Sequence, residues 1–190
     1  MSLVESQRLT ANDLLTMPDG NRYELVDGQL VDTGMSIESS WIAGEILFLI
    51  RCFLATNPIG RVFPEGTMYR CFADDTDKVR NPDVSFIRHG RVSPDQIQQG
   101  YCRIAPDLAV EVVSPNDLHE ELMRKLDDYL DAGVPLVWVV EPDLRCVTVY
   151  EAPGQTSRRL READELTGGA VLPGFQCRVG DLFPRVEATS

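Results

Sequence analysis

The chain has 190 residues, of which 43% are hydrophobic and 25% are charged, the ordinary composition of a globular protein. This length suffices for a hydrophobic core, so we expect residues 1–190 to form a single domain. With a net charge of −12, the average surface repels a DNA backbone, which counts against a nucleic-acid partner. The charge is uneven, because residues 61–103 hold seven basic and six acidic residues and are the least acidic part.

The sequence gives no sign of export or of a structural metal. No apolar run approaches the roughly 20 residues that span a bilayer, and the first ten residues lack the order of a signal peptide. The five cysteines are odd in number, widely spaced and without a CxxC pair, so neither a disulfide framework nor a zinc site is indicated. We expect a cytoplasmic protein with reduced thiols and no membrane partner.

Turn signals and hydrophobic periodicity divide the N-terminal half into short elements. Asp27-Gly28 is typical of a hairpin turn, and apolar residues recur at helical spacing between 39 and 55. The predicted elements are a capped helix at 10–15, hairpin strands at 23–26 and 29–31, a helix at 39–55, and strands at 61–63, 67–72 and 83–87.

The C-terminal half reads as strand, helix and hairpin, followed by short strands and loops from 155 to 190. The predicted elements are a buried strand at 107–113, an amphipathic helix at 118–131, and hairpin strands at 136–140 and 146–150. Together the two halves predict an α/β fold in which a central mixed sheet is flanked by helices, with an N-terminal helix and hairpin.

Two carboxylates interrupt apolar strands and mark a candidate site. Alternation along the strand at 107–113 places Glu111 among apolar neighbours. Asp83 has the same character, because Val84 and Phe86 pack on the opposite side of its strand. A carboxylate in a sheet interior is costly unless it is paired or bound to a metal. Both residues are therefore candidate metal ligands.

A second Pro-Asp pair, Pro106-Asp107, competes with Pro82-Asp83 for this role. Asp107 and Glu111 lie four residues apart on one strand, roughly 13 Å at ~3.3 Å per residue, which is too far to share an ion at bonds of about 2.1 Å. Asp83 comes from a different strand and can lie beside Glu111. We therefore expect Asp107 to begin its strand and not to bind the metal.

Lys125 lies near the middle of the apolar face of the predicted helix at 118–131. A lysine there can extend its ammonium to water along an apolar surface. Because Glu111 precedes the helix closely, a sheet-facing lysine can instead reach the carboxylates. We expect the ammonium of Lys125 to point into the Asp83–Glu111 pair.

Several short motifs, each weak alone, form a fairly specific set across most of the chain. They resemble the putative restriction endonuclease domain family of the PD-(D/E)XK nuclease superfamily. The motifs are Tyr23-Glu24-Leu25-Val26-Asp27-Gly28, Asn81-Pro82-Asp83-Val84, Pro106-Asp107-Leu108-Ala109-Val110-Glu111-Val112-Val113-Ser114-Pro115, Lys125 with Tyr129-Leu130-Asp131-Ala132-Gly133-Val134, Trp138-Val139-Val140-Glu141-Pro142 and Leu172-Pro173-Gly174-Phe175.

The resemblance implies a restriction-endonuclease-like core and a divalent metal, Mg²⁺ or Mn²⁺, held by Asp83, Glu111 and the backbone carbonyl of Val112. Where the superfamily usually has a lysine, two positions after Glu111, this chain has Val113. The resemblance therefore implies that Lys125, from a different position in the chain, takes the place of that lysine. Such a metal lowers the pKa of bound water and neutralises a phosphate oxygen, and a lysine can orient or deprotonate that water.

Other residues are weaker candidates. Glu24 is a possible catalytic residue, although a carboxylate on a hairpin strand is more often at the surface. Close in sequence to Asp83, a group of arginines offers contacts to a phosphate backbone, or else lies in a solvated loop. This group consists of Arg80, Arg88 and Arg91. The two histidines, His89 and His119, lack a second histidine at ligand spacing and receive no role.

Three functions stay open on the sequence. The first is a magnesium-dependent endonuclease that cleaves DNA, for which a homodimer would suit a paired cut. The second is a nuclease fold without activity that serves as a binding or assembly module, since a fold does not establish activity. The third is a metal-dependent phosphoesterase acting on small substrates. The acidic surface favours the second function, and magnesium binding separates it from the first.

Overall fold

The structure of the protein, a computed structural model, describes residues 8–93, 100–115, 117–152 and 156–184. Short 3₁₀ segments at Gly20–Arg22, Pro142–Leu144 and Val179–Leu182 accompany the helices and strands. In chain order these are α1 (Ala11–Thr16), β1 (Tyr23–Val26), β2 (Gln29–Asp32), α2 (Ile37–Thr56), β3 (Gly60–Pro64), β4 (Val84–Arg88), β5 (Leu108–Val112), α3 (His119–Asp131), β6 (Leu136–Glu141), β7 (Cys146–Glu151), β8 (Thr156–Arg161), β9 (Glu165–Gly168) and β10 (Leu172–Arg178).

The centre of the fold is a six-stranded mixed sheet in the order β3-β4-β5-β6-β7-β8. Neighbouring strands are antiparallel except β5 and β6, which are parallel. A parallel pair needs a crossover, and α3 supplies it. The β1–β2 and β9–β10 hairpins form separate two-stranded sheets. The predicted mixed sheet flanked by helices, with an N-terminal helix and hairpin, is confirmed.

Local sequence signals account for the ends of several elements. The Thr10 side chain accepts a hydrogen bond from the N–H of Asp13, which caps α1. Ser36 caps α2 in the same way. Asp27 and Gly28 both have positive φ, 52° and 75°, as a two-residue turn between antiparallel strands requires. The predicted helices and the N-terminal hairpin are therefore confirmed.

The two faces of the sheet bury different side chains. Leu108, Val110 and Val112 of β5 face the main core, which α2 and the β9–β10 hairpin cover. Ala109 faces the other way and packs in a smaller cluster with Tyr129 of α3. This alternation is the one predicted for β5, and it places the odd-numbered positions of the strand beneath α3.

One predicted strand is wrong. Residues 67–72 form no regular strand, and Tyr69 instead makes isolated bridges to Arg80 and to Cys102. The apolar pattern there reflects burial of single residues, since Met68, Tyr69 and Phe72 are all buried. At the C-terminus, residues 185–190 of the region predicted as short strands and loops lie outside the described residues.

Helix α2 is long and apolar enough to cross a membrane, judged by its length and composition alone. The expectation that no segment approaches this length is therefore wrong for α2. A single such helix is weak evidence for a membrane span, because one face of α2 packs on the sheet through Ile42, Ile46 and Ile50.

Candidate functional site

Asp83 and Glu111 lie side by side on neighbouring strands. In the antiparallel pair of β4 and β5, Val84 is opposite Val110. The same register, continued by one residue, sets Asp83 opposite Glu111, where Cβ atoms are typically ~4.5–5.5 Å apart. Both side chains line one cavity of about 290 Å³. The expected proximity of these two carboxylates therefore follows from the strand register.

The Asp83 carboxylate is buried, and its Oδ2 accepts a hydrogen bond of 2.6 Å from the backbone N–H of Val112. Burial, and then the neighbouring Glu111 carboxylate, raise the pKa of Asp83 well above its usual value. Its other oxygen, Oδ1, forms no hydrogen bond within the described residues. Asp83 is therefore a desolvated carboxylate beside a second one, which a cation would stabilise in the charged form.

The Glu111 carboxylate is held by two side chains of α3. The Tyr129 hydroxyl donates to Oε1 at 2.6 Å, and the Lys125 ammonium donates to Oε2 at 3.2 Å. Burial raises the pKa of Glu111; Glu24 acts in the same direction, while Lys125 opposes it. These two contacts fix the orientation of Glu111 at the cavity wall.

Lys125 lies between two carboxylates; Glu111 is the predicted partner, but the other is Glu24 where Asp83 was expected. Its Nζ is 3.2 Å from Glu111 Oε2 and 3.3 Å from Glu24 Oε1. Burial alone would favour the neutral amine, but Glu111, Glu24 and Asp83 raise the pKa of Lys125, so the ammonium stays charged. Because the ammonium contacts these two carboxylates, it does not extend into bulk water, which was the alternative for this residue.

Glu24 is fully buried, so the expectation of a surface carboxylate is wrong. Its carboxylate accepts hydrogen bonds from the Arg80 guanidinium at 2.7 Å and from the Asn81 N–H at 2.9 Å. Burial opposes ionisation, but Lys125 and Arg80 outweigh it and lower the pKa of Glu24. The β1–β2 hairpin carries Glu24 into the site, because Leu25 exchanges backbone hydrogen bonds with Val79.

Arg80 has no exposed surface, which contradicts its expected contact with a phosphate backbone. Its guanidinium pairs with Glu24 at 2.7 Å, with Glu121 at 2.8 Å and with Asp128 at 2.6 Å. Its Nη2 has no hydrogen-bond partner among the described residues, but the guanidinium is fully buried among three carboxylates and cannot reach a phosphate backbone at the surface. Arg80 therefore holds β1, α3 and the segment before β4 together.

Arg88 and Arg91 lie at the far end of β4 from the cavity. Arg88 is five residues after Asp83, roughly 16 Å at ~3.3 Å per residue, and strand alternation puts it on the opposite face. Arg91 pairs with Asp107 at 2.7 Å, and Asp107 also accepts from the Arg88 N–H at 2.9 Å. Asp107 thus begins β5 in a structural role, as expected, and neither arginine lines the cavity.

Two features near the cavity were not predicted. Tyr129 lies one turn after Lys125 on the same helix face, a spacing that could have revealed it as a second contact to Glu111. A chain of hydroxyls also connects the start of α2 to the end of β5, since Ser39 Oγ is 2.5 Å from Ser36 Oγ and 2.8 Å from Ser114 Oγ. No local pattern indicates this chain, because Ser114 lies 75 residues after Ser39.

The donor set at the cavity fits a hard divalent cation. Asp83 and Glu111 supply carboxylate oxygens, and the Val112 carbonyl points to the same side of β5 as the N–H that Asp83 binds. Mg²⁺ commonly uses one or two carboxylates and completes its shell with water. No cluster of three or more His, Cys, Asp or Glu side chains that could hold a metal occurs within the described ranges. With two carboxylates supplied by the protein, a cation held here would take most of its other ligands from water.

The cavity is otherwise acidic. Lys125 is its one basic lining residue among those described, whereas Asp32, Asp117 and Glu121 join Asp83 and Glu111 in its wall. Negative charge at this density repels a phosphate group unless a cation is present. An anionic ligand in this cavity would therefore need a cation beside it.

Comparison with known proteins identifies the fold and the family. The structure is similar to the crystal structure of a protein from Anabaena variabilis described as a putative nuclease, with a TM-score of 0.78 and 22% identity over 92% of this chain and 97% of that chain. Among curated proteins, none is significantly similar to this chain. The family model Uma2, described as putative restriction endonuclease, matches residues 10–180. The chain therefore belongs to this family of nuclease fold.

Proposed function

We propose that this protein is a metal-dependent endonuclease that hydrolyses phosphodiester bonds of DNA. The observation that carries the proposal is the meeting of Asp83, Glu111 and Lys125 in one cavity, from two strands and a helix. These residues supply the metal ligands and the cationic group that such hydrolysis needs. Mg²⁺ or Mn²⁺ would be held by Asp83, Glu111 and the Val112 carbonyl.

Each group of the site has a distinct task in this proposal. The bound metal would neutralise a phosphate oxygen and lower the pKa of a bound water. Lys125 orients that water and stabilises negative charge on the phosphate, because its ammonium is held at the cavity wall by Glu24 and Glu111. Tyr129 keeps the Glu111 carboxylate turned toward the cavity. Glu24 is a positioning residue, since it contacts Lys125 and lines no part of the cavity.

The direct test is cleavage of supercoiled plasmid DNA by the purified protein with Mg²⁺, Mn²⁺ or EDTA. We expect nicked or linear products with either metal and none with EDTA. Binding of metal should also be visible without substrate, as heat of binding on titration with MgCl₂ or MnCl₂. No heat with either metal and no cleavage would contradict the proposal.

A catalytically silent nuclease fold that serves as a binding or assembly module is the second candidate. The acidic cavity wall supports it, because Lys125 already neutralises part of the carboxylate charge without a metal. In that case the protein would bind neither Mg²⁺ nor Mn²⁺ and would leave DNA intact. The metal titration separates the two candidates before any substrate is found.

Replacing Lys125 by Met is expected to lower metal-dependent cleavage by at least ~10²-fold, as for loss of a proton-transferring or positioning group. Met preserves an apolar stem on the sheet-facing side of α3. The variant should also lose stability in the absence of metal, because Glu111 and Glu24 lose a buried counter-ion. Cleavage is therefore compared at a temperature where circular dichroism shows both proteins folded.

The matched control for Lys125→Met is Arg124→Met. Arg124 is the preceding residue of α3 and forms an exposed pair with Glu120 at 2.6 Å. The control removes the same charge from the same helix and should leave the cleavage rate unchanged. Equal rates for Lys125→Met and Arg124→Met would eliminate the role given to Lys125.

Replacing Tyr129 by Phe removes the hydroxyl that donates to Glu111 Oε1 but keeps the buried ring. Residues that orient a metal ligand typically change metal affinity by ~10–100-fold. We therefore expect the dissociation constant for Mn²⁺ to rise at least ~10-fold in calorimetry. Tyr150→Phe is the control, because the Tyr150 hydroxyl bonds no described side chain. An unchanged Mn²⁺ affinity would show that Tyr129 serves packing alone.

A further inference from the structure

The outer face of α2 carries a line of large apolar side chains that the described residues leave uncovered. Ile37, Trp41 and Phe48 are 93%, 60% and 58% exposed. At about 100° per residue they fall within a narrow sector of the helix, opposite Ile42, Ile46 and Ile50, which pack on the sheet. Single exposed apolar residues are ordinary, but three in line on one helix mark an interaction surface.

Small residues extend this line. Gly44 lies between Trp41 and Phe48, and a Cβ added there would meet nothing within 4 Å. Cys52 and Ala55 continue the same sector and are also exposed. A glycine between two aromatic side chains leaves a shallow notch, which lets another helix approach closely. We call the line Ile37–Trp41–Gly44–Phe48–Cys52 the α2 stripe.

We infer that the α2 stripe joins two copies of this chain, with the two α2 helices antiparallel about a two-fold axis. Four positions of the stripe pair symmetrically about the point between residues 44 and 45, and Gly44 lies next to that point. Trp41 and Phe48 are equally far from that point, and so are Ile37 and Cys52. In an antiparallel pair, Trp41 therefore meets Phe48 of the second copy twice, while the two notches at Gly44 face each other. A surface that complements itself in this way is what a two-fold interface requires.

The size of the stripe agrees with a dimer that dissociates on dilution. An aromatic side chain offers roughly 150–250 Å², so Trp41 and Phe48 at their exposures provide about 100–150 Å² each. With Ile37 and the smaller residues, we estimate on the order of 500–600 Å² for each copy. Two copies would bury about 1,000–1,200 Å², which is the lower end for a specific interface.

The charge pattern favours a protein partner over a lipid surface. The chain carries a net charge of −12, so an anionic bilayer repels it. The stripe itself is uncharged, and Glu38, Glu45 and Arg51 lie at its margins. Because α2 also packs on the sheet, it cannot insert into a bilayer without losing the main core. A second copy carries the same net charge, but its uncharged stripe can meet this one without bringing charged side chains into the centre of the contact, and the pairing leaves the packing of α2 on the sheet intact.

Sedimentation velocity over a range of protein concentrations tests this interface. We expect wild type to form a dimer at tens of micromolar, and Trp41→Glu or Phe48→Glu to weaken dimerisation at least ~10-fold, since an added charge must be desolvated. Both sites are exposed, so the fold should persist. Leu144→Glu is the control, because Leu144 is 56% exposed and lies outside α2; it should dimerise like wild type.

Crosslinking tests the direction of the helices. In the antiparallel pair, a Gly44→Cys variant places two thiols near the two-fold axis and should form a disulfide-linked dimer under mild oxidation. The native Cys52 residues would be roughly 20 Å apart along the axis and should not crosslink. A crosslink through Cys52 in wild type would indicate a parallel pair and would overturn the arrangement.

Two results would overturn the dimer itself. One is a monomer at all concentrations in wild type; if that monomer also floats with anionic vesicles and Trp41→Glu does not, the stripe binds lipid instead. The other is a dimer that Trp41→Glu and Phe48→Glu leave intact, which would place the interface elsewhere. These measurements use neither metal nor DNA, so the result is independent of the proposed nuclease activity.

Discussion

Asp83→Asn and Glu111→Gln are each expected to lower metal-dependent DNA cleavage by on the order of 10²–10⁴-fold, because a metal ion contributes several kcal/mol to such a reaction. Each change keeps the size of the side chain and removes one charge. In Asp83→Asn, the amide oxygen of the new side chain can still accept the N–H of Val112 that Asp83 accepts at 2.6 Å. The expected loss therefore reflects the metal site and not the fold.

Without metal, Asp83→Asn should be more stable than wild type, although its DNA cleavage should be lower. Burial and Glu111 raise the pKa of Asp83, so the folded protein binds a proton there more tightly than the unfolded chain does. At neutral pH the ionised carboxylate therefore destabilises the fold, and a neutral amide avoids that penalty. We expect a higher melting temperature for Asp83→Asn than for wild type without metal, and the reverse order in excess Mg²⁺.

Asp107→Asn is the matched control for this prediction. Asp107 also follows a proline and is also buried, but it pairs with Arg91 at 2.7 Å at the other end of the sheet. Its replacement should leave both metal affinity and cleavage unchanged. If Asp83→Asn cleaved DNA like wild type, or if Asp107→Asn lost cleavage equally while remaining folded, the assignment of the metal ligands would be wrong.

Arg80→Met is expected to lower the free energy of unfolding by about 3–5 kcal/mol, the range for removing one partner of a buried ion pair. The guanidinium has no exposed surface and pairs with Glu24, Glu121 and Asp128. Without it, Glu24 retains Lys125 but loses its nearest cation. Because natural domains are stable by roughly 5–15 kcal/mol, this loss should be evident as a much lower urea midpoint.

Two comparisons make the Arg80 prediction specific. Arg124→Met breaks an exposed pair with Glu120 and should cost at most about 0.5 kcal/mol. Arg80→Lys keeps the charge but not the geometry that reaches several carboxylates at once, so its stability should lie between wild type and Arg80→Met. An Arg80→Met variant of native stability that bound DNA more weakly would restore the phosphate-binding role that the burial of Arg80 contradicts.

Much of the site is accessible from the sequence because its signals are local. Strand alternation identifies Glu111 and Asp83 as charges in apolar surroundings, and the spacing along one strand excludes Asp107 as a partner of Glu111. Helical periodicity places Lys125 on the sheet-facing side of α3, and its ammonium does lie 3.2 Å from Glu111. Each of these inferences depends on residues within a few positions of one another.

The predictions from the sequence that are wrong concern residues whose environment is set by segments distant in the chain. Glu24 and Arg80 are 56 positions apart, and the sequence predicts a surface role for each although both are fully buried. Nothing near Glu24 in the sequence shows that Lys125 and Arg80 surround it. Likewise, the apolar pattern at 67–72 indicates burial correctly but not strand pairing, which depends on whether a partner backbone is available.

The sequence by itself determined the family, the order of most helices and strands, and the identity of the two carboxylates and the lysine, because periodicity and short motifs are properties of the local chain. Only the tertiary structure decided which charges neutralise one another. The hairpin carries Glu24 beneath α3, α3 brings Lys125 and Tyr129 onto Glu111, and the register of β4 on β5 sets Asp83 beside it. The strength of such interactions depends on distance and on burial in three dimensions, and neither can be read from spacing along the chain.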